Sequence, residues 1–335
     1  MSENPLVSVE VLHGGQVWLV RIERSEVRNC VNRETAKALF RWFRDFDRDP
    51  VAKCAVFASS EGVFCAGYDL SEVSKTSSDD LLADVRNFEG VEKGVEGAPK
   101  GSSLKGATGD GGDGETGGGD GQKKSHGLHV LGPMGPSRMM LTKPVIAAVE
   151  GFAVAGGLEL CCWCDLVVSH SSCSFGVLCR RFGVPLIDGG TTRLAKIVGR
   201  NRALEMILLG RSYSGQTMHE WGLVNFLVPS PDEVLSKAIE TAVEMCSLPQ
   251  ICLRSDLRSH KLFGFAPEDF AMSSLRGEFE LGMAAVRAGE TAEGASRFSK
   301  GRVGRHGSSL TLSKEGVSWS GHRGGGVLYP GRGKL

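Results

Sequence analysis

The chain has 335 residues, 41% of them hydrophobic, enough to bury one large core or two smaller ones. Lysine plus arginine equals aspartate plus glutamate at 39 each, so no global field draws it to nucleic acid or a membrane surface, and no apolar run approaches a membrane span. Its ten cysteines sit mostly inside apolar runs, which excludes a small secreted disulfide framework and points to free thiols in a reducing compartment.

Met1-Ser-Glu-Asn-Pro5 lacks both an apolar signal region and an Arg-rich amphipathic presequence. Val7 to Leu12 and Val17 to Ile22 alternate around His13-Gly14-Gly15, which predicts a hairpin. Ala38, Leu39, Trp42, Phe43 and Phe46 recur with the helical period across Glu34 to Phe46. Lys53 to Ala58 reads as a strand ending in the turn Ser59 to Gly62, and Asp79 to Phe88 as a helix. From 90 to 135 the chain is dominated by Gly, Asp, Ser and Lys. Such a segment buries too little apolar surface to offset ordering entropy, so it reads as a flexible insertion with order resuming at Met139. Its Asp-Gly runs lack the spacing of calcium-binding β-rolls, and no Gly-Lys-Ser/Thr closes a P-loop.

Beyond the insertion, strands are predicted near 145–149, 165–169 and 224–228, and helices near 157–163, 190–198, 201–209, 215–221, 231–247 and 267–288. Alternating strands and helices argue for an α/β fold. Cys161, Cys162 and Cys164 have no second Cys/His pair at zinc spacing and read as a core helix entering a strand, so no metal site is expected. The densest chemical signal is Lys143 to Leu160. There an apolar strand runs through small residues and Gly156-Gly157 into Glu159, on the first turn of a helix. Glycine permits close approach of a ligand, a helix start offers N–H groups to negative charge, and the carboxylate lies beside that spot. This suits proton abstraction next to a carbonyl, or addition across a neighbouring double bond.

Phe64-Cys-Ala-Gly-Tyr-Asp-Leu70, Lys143 to Gly151, Ala155-Gly-Gly-Leu-Glu-Leu160, Cys164-Asp165, Phe175-Gly176 and Gly189-Gly-Thr-Thr-Arg-Leu194, in that order, resemble the crotonase (enoyl-CoA hydratase/isomerase) superfamily over roughly residues 6–300 without the insertion. The resemblance implies a spiral of ββα turns over 1–89 and 136–230 and a C-terminal helical region over 231–300, while the Gly/Ser/Arg-rich composition of 301–335 reads as a disordered basic tail. It also implies acyl-CoA thioester substrates, with coenzyme A entering as part of the substrate and no separate cofactor, and assembly as a homotrimer or hexamer. The backbone N–H groups of Tyr68 and Gly156 match the oxyanion hole, each donor contributing about 3–4 kcal/mol to the barrier. Ala66 matches the carbonyl that meets the adenine, Arg28 a charge for the CoA phosphates, and Gly67, Asp69, Gly157 and Cys179 complete the substrate-lining set.

Hydratases of this superfamily use two glutamates. Glu159 matches the first, but Cys179 stands where the second would lie, and a thiol with an ordinary pKa near 8.5 is a poor acid/base substitute. Cys179 then reads as a packed or pocket-lining thiol. Asp188 falls where other members carry a catalytic carboxylate, which would pair it with Glu159; capping the helix at Gly189-Gly190-Thr191 is the other reading. His170 and Arg180-Arg181 read as surface groups, and His219 to Gly222 as structure. Hydratase leads, a one-shuttle enoyl-CoA isomerase follows, and a non-catalytic acyl-CoA-binding scaffold remains as a third reading; RNA binding is disfavoured by balanced charge. Gly333-Lys334-Leu335 differs at one position from the peroxisomal Ser-Lys-Leu, so peroxisome-like, cytosolic and mitochondrial addresses all stay open.

Overall fold

A computed structural model describes residues 6–73, 129–264, 271–289 and 291. Strands β1 (Val7–Leu12) and β2 (Val17–Ile22) form the expected antiparallel hairpin. Helix α1 (Arg33–Arg48) follows, capped by the Asn32 side chain, which accepts from Thr35 N–H. Next come β3 (Cys54–Ser59), the short α2 (Leu70–Val73), β4 (Val145–Val149), β5 (Phe152–Val154), α3 (Gly156–Trp163), β6 (Leu166–His170) and β7 (Ser174–Gly176). Then follow α4 (Gly190–Val198), α5 (Arg200–Leu209), β8 (Ser212–Ser214), α6 (Gly215–Glu220), β9 (Phe226–Val228), α7 (Val234–Cys246), α8 (Gln250–Phe263) and α9 (Ala271–Arg287).

Two sheets organise these elements. The larger runs β1-β2-β3-β4-β6-β9, parallel beyond the first hairpin; the smaller runs β5-β7-β8. From β4 to β7 consecutive strands alternate between the sheets. β4 lies in the large sheet, β5 in the small one, and α3 closes that ββα turn; the Cys65–Ala153 bridge ties the stretch after β3 into the same pattern. The chain is thus the spiral that the motifs imply.

The central strands read as unbroken apolar runs because both their faces are covered. Ala55, Phe57, Val145, Ala147 and Val149 face one core with α1 and α3. Cys54, Val56, Ala58, Ile146 and Ala148 face a second core under α7. This two-sided burial buries the strands carrying the loops that converge on Gly156.

Three expectations need correction. Residues 129–135 are not part of a flexible insertion: Val130 and Met134 are buried, and Gly132 and Gly135 exchange N–H···O bonds of 2.9 Å. The small-sheet strands β5, β7 and β8 were not foreseen, and helix α8 falls within the expected helical region over 231–300 but was not predicted as a separate helix. The helix expected over 231–247 begins with a separate 3-10 turn, Pro231–Glu233. The helix expected at Asp79 to Phe88, most of the insertion and the tail from 301 lie outside the described residues.

Candidate active site

The loops that carry Tyr68 and Gly156 are zipped together by backbone. Cys65 N–H donates to Phe152 O at 2.9 Å, and Val154 N–H donates to Cys65 O at 3.1 Å. Glycine is needed at the contact. A Cβ on Gly67 (φ +103°) would stand 2.8 Å from the Ala155 Cβ and 3.1 Å from the Gly156 nitrogen, and one on Gly157 would run into the Cys65 carbonyl. Val31 holds the residues flanking Tyr68: its N–H donates to Gly67 O and its carbonyl accepts from Asp69 N–H, both at 2.9 Å. Across a trans peptide the Tyr68 N–H points opposite to Gly67 O, hence away from Val31. Gly156 opens α3 behind Ala155, whose φ of +54° makes the sharp entry into the helix.

The other residues expected to meet CoA divide. Ala66 and Arg28 are joined, Ala66 N–H donating to Arg28 O at 3.1 Å, while the Arg28 side chain is exposed at a left-handed residue (φ +56°). Buried Asn29 shapes this corner by donating to the carbonyls of Ser60 and Val63. Asp69 is turned to a structural duty: its carboxylate pairs with the Arg24 guanidinium at 3.2 Å and accepts from Ser71, contacts that hold its pKa down.

Glu159 lies one turn into α3, 3% exposed. Its Oε1 accepts N–H groups from Asp188 at 2.9 Å and Gly190 at 2.8 Å, so it caps α4 from outside. A Cβ on Gly190 would stand 2.9 Å from that oxygen. Burial first, then the Asp188 charge, push Glu159 up to about 7 against the pull of those two N–H groups and Arg193.

Asp188 is not the helix cap that its sequence position allowed. Gly189 takes the N-cap position without a side-chain bond, because the Asp188 carboxylate turns the other way, to Met134 N–H at 3.0 Å and the Ser137 hydroxyl. Burial raises its pKa as well, opposed by Ser137, Met134, Arg138 and Arg193. Cys179 is buried on the 3-10 turn Leu178–Phe182; burial first and then the Glu159 charge raise its pKa, so it is a neutral thiol beside the glutamate.

Sequence reasoning missed three contributors. Met134 reaches Asp188 from the stretch taken for insertion, and Ser137 from just beyond its end. Arg193, half-buried on α4, donates to Asp188 O at 2.9 Å and Ser137 O at 2.7 Å, which pins the two stretches to each other. Arg193 stood inside a quoted motif block, the only signal available for it. His170 bonds Ser172 and the Pro229 carbonyl, and His219 bonds the Val224 carbonyl, so both serve structure.

With this geometry in place, comparison with known proteins is informative. The sequence model described as enoyl-CoA hydratase/isomerase matches residues 13–89 and 138–259. Mevalonyl-coenzyme A hydratase SIDH of Beauveria bassiana is 31% identical over 229 residues, 68% of this chain and 69% of that protein. Enoyl-CoA hydratase EchA19 of Mycobacterium tuberculosis is 25% identical over 296 residues, covering 86% and 92% respectively. In fold, the crystal structure of an enoyl-CoA hydratase from Bacillus anthracis superposes with a TM-score of 0.68 at 23% identity over 89% of this chain and 97% of that one. The chain therefore belongs to the enoyl-CoA hydratase/isomerase family, the crotonase superfamily of acyl-CoA-processing enzymes that its motif blocks resemble.

Proposed function

We propose that the protein adds water reversibly to a 2-enoyl-CoA thioester, with Glu159 and Asp188 as the acid/base pair in place of two glutamates. The observation that carries this reading is a pair of buried acids joined through the backbone, Asp188 N–H donating to Glu159 Oε1 at 2.9 Å. Like charges in one site separate into one protonated and one ionised group. Glu159, pushed up to about 7, holds the proton near neutrality, and Asp188, accepting from Met134 and Ser137, is the base.

In the forward direction Asp188 takes a proton from water as its oxygen bonds to C3. The C2–C3 π electrons move to the thioester oxygen, which the Tyr68 and Gly156 N–H groups stabilise. Glu159 then delivers its proton to C2 as the enolate collapses, and the proton on Asp188 returns to Glu159 or solvent before the next turnover. Coenzyme A is held as part of the substrate, with the backbone at Ala66 and the exposed Arg28 as the corner for its adenine and phosphates. Assembly as a homotrimer or hexamer belongs to this proposal, on family resemblance, and light scattering of the pure protein checks it. Among the described residues no helix is long and apolar enough to cross a membrane, and relatives carry both peroxisomal and mitochondrial names.

The test is a panel of enoyl- and 3-hydroxyacyl-CoA thioesters, mevalonyl-CoA included because a relative is named for it. Glu159→Gln should lower turnover on the best substrate by 10²-fold or more, with CoA-thioester affinity kept. Double-bond migration without water uptake would favour an isomerase, a reading supported by Cys179 at the second-glutamate position. Thioester binding without turnover on any chain would favour the scaffold reading.

A further inference from the structure

Asp188 Oδ1 receives two donors, the Met134 N–H and the Ser137 hydroxyl, whereas no described residue bonds Oδ2. Both donors come from 129–138, more than fifty residues earlier in sequence. That stretch is fixed without Asp188's help. His129 Nε2 meets Asp47 Oδ2 at 2.9 Å, Gly132 pairs with Gly135, and Arg193 Nη2 holds the Ser137 carbonyl at 2.7 Å. Gly132 completes the fit: a Cβ there would collide with Ser137 Oγ and stand 3.1 Å from Asp188 Oδ1.

A serine hydroxyl that is fully buried has one proton to give and could satisfy it on any nearby carbonyl. Here it is aimed at the carboxylate. Charge-assisted donors strengthen when the acceptor is ionised, so this arrangement favours the anion and fixes its direction. We propose that Ser137 is a positioning residue for the reaction, which together with the Met134 N–H holds Asp188 as the ionised partner and leaves Oδ2 to take the reacting proton. The inference rests on the catalytic reading above for its purpose but not for its physics. The other charged or titratable groups facing Asp188 are Glu159 from α3, Arg193 from α4 and Arg138 from the same stretch, with Cys179 beyond Glu159.

The experiment follows Asp188 directly, by carboxyl-carbon NMR of the full chain labelled at aspartate, its resonance assigned as the one lost in Asp188→Asn. Ser137→Ala should raise the titration midpoint by about one pH unit, the usual size for losing one such donor, and Ser137→Thr should restore it. The acid limb of kcat/KM for crotonyl-CoA should move by the same amount, a tenfold loss on that limb, with KM unchanged. Ser137→Cys, nearly isosteric with a weak donor, should shift the midpoint in the same direction and guards against a variant that does not fold. An unmoved midpoint in folded Ser137→Ala or Ser137→Cys overturns the proposal, as does a Thr variant that fails to restore it. Full turnover by Asp188→Asn would instead sink the catalytic reading, whatever the titration of Asp188 shows.

Discussion

Asp47 and Asp188 are both buried, and both take hydrogen bonds from the same stretch of chain, 129–142. Asp47, on α1, accepts Thr142 N–H and Oγ–H on Oδ1 and meets His129 on Oδ2. Those contacts outweigh burial and hold its pKa below the ordinary value. Among the described residues Asp188 receives donors on Oδ1 only, and it faces Glu159; burial wins, so its pKa rises. A carboxylate with hydrogen-bond partners on both oxygens is a fastener. One with an unbonded oxygen and a like-charged neighbour stores electrostatic energy for use, and such perturbed pairs gather where proton chemistry is done.

The sharpest way to break this contrast is to remove each charge in turn. Asp188→Asn should cut turnover by 10²–10⁴-fold and leave the urea midpoint nearly unchanged, because an amide oxygen still accepts from Met134 and Ser137. Asp47→Asn should do the reverse in kind, costing about 1–3 kcal/mol of stability by weakening the buried hydrogen bonds to His129 and Thr142 while lowering activity only as far as folded protein is lost. If Asp47→Asn were neutral and Asp188→Asn unfolded the chain, the roles assigned to the two residues would be exchanged.

The two regions should also differ in pH response. Asp47's folded pKa is depressed, so its stabilisation is present above the unfolded value and fades as pH falls through the folded one. Glu159 behaves oppositely. Its folded pKa is raised from 4.5 to about 7, so the folded state binds more protons between those values and stability falls as pH climbs through that window. By this linkage the burden above pH 7 is of order ~3 kcal/mol. Glu159→Gln, inactive as it should be, is therefore expected to be more stable than the parent at pH 8 and no more stable at pH 4. Denaturant melts at the two pH values would show it, and a pH-independent difference would count against a strained glutamate.

How much of this was legible in the sequence depends on the kind of signal. The helix carrying Glu159, its glycines and the large-sheet strands were readable because periodicity and composition report burial directly. The strands β5, β7 and β8 have three residues each, too short for alternation to register. Helix α8 lies within the expected helical region, but its own bounds were not readable because its most buried positions, Ser255 and Ser259, keep the helical spacing with polar side chains. The anchoring of Asp188 escaped for a deeper reason. One of its donors is a main-chain N–H, which no residue type announces, and the other is a serine in a glycine- and proline-rich stretch that composition alone assigns to a loop. The capping alternative for Asp188 failed on the same ground, since sequence gives the neighbours along the chain but not those across the fold.

The smallest expected effect concerns Cys179, which sits beside the carboxylate pair without belonging to it. A thiol whose pKa is raised by burial and by the Glu159 charge stays protonated across the working range, neither base nor nucleophile. By the family resemblance it matches the position of a second glutamate. Cys179→Ala should change turnover less than threefold and cost about 1 kcal/mol for the vacated volume. Cys179→Glu is the more telling variant. It would place a third carboxylate against Glu159, raising the Glu159 pKa further and moving the basic limb of the pH–rate profile upward. If that variant instead restored hydration to an otherwise inactive Asp188→Asn background, the pair would be interchangeable in position, and the chemistry would need only a second carboxylate within reach of Glu159, whichever wall of the site supplies it.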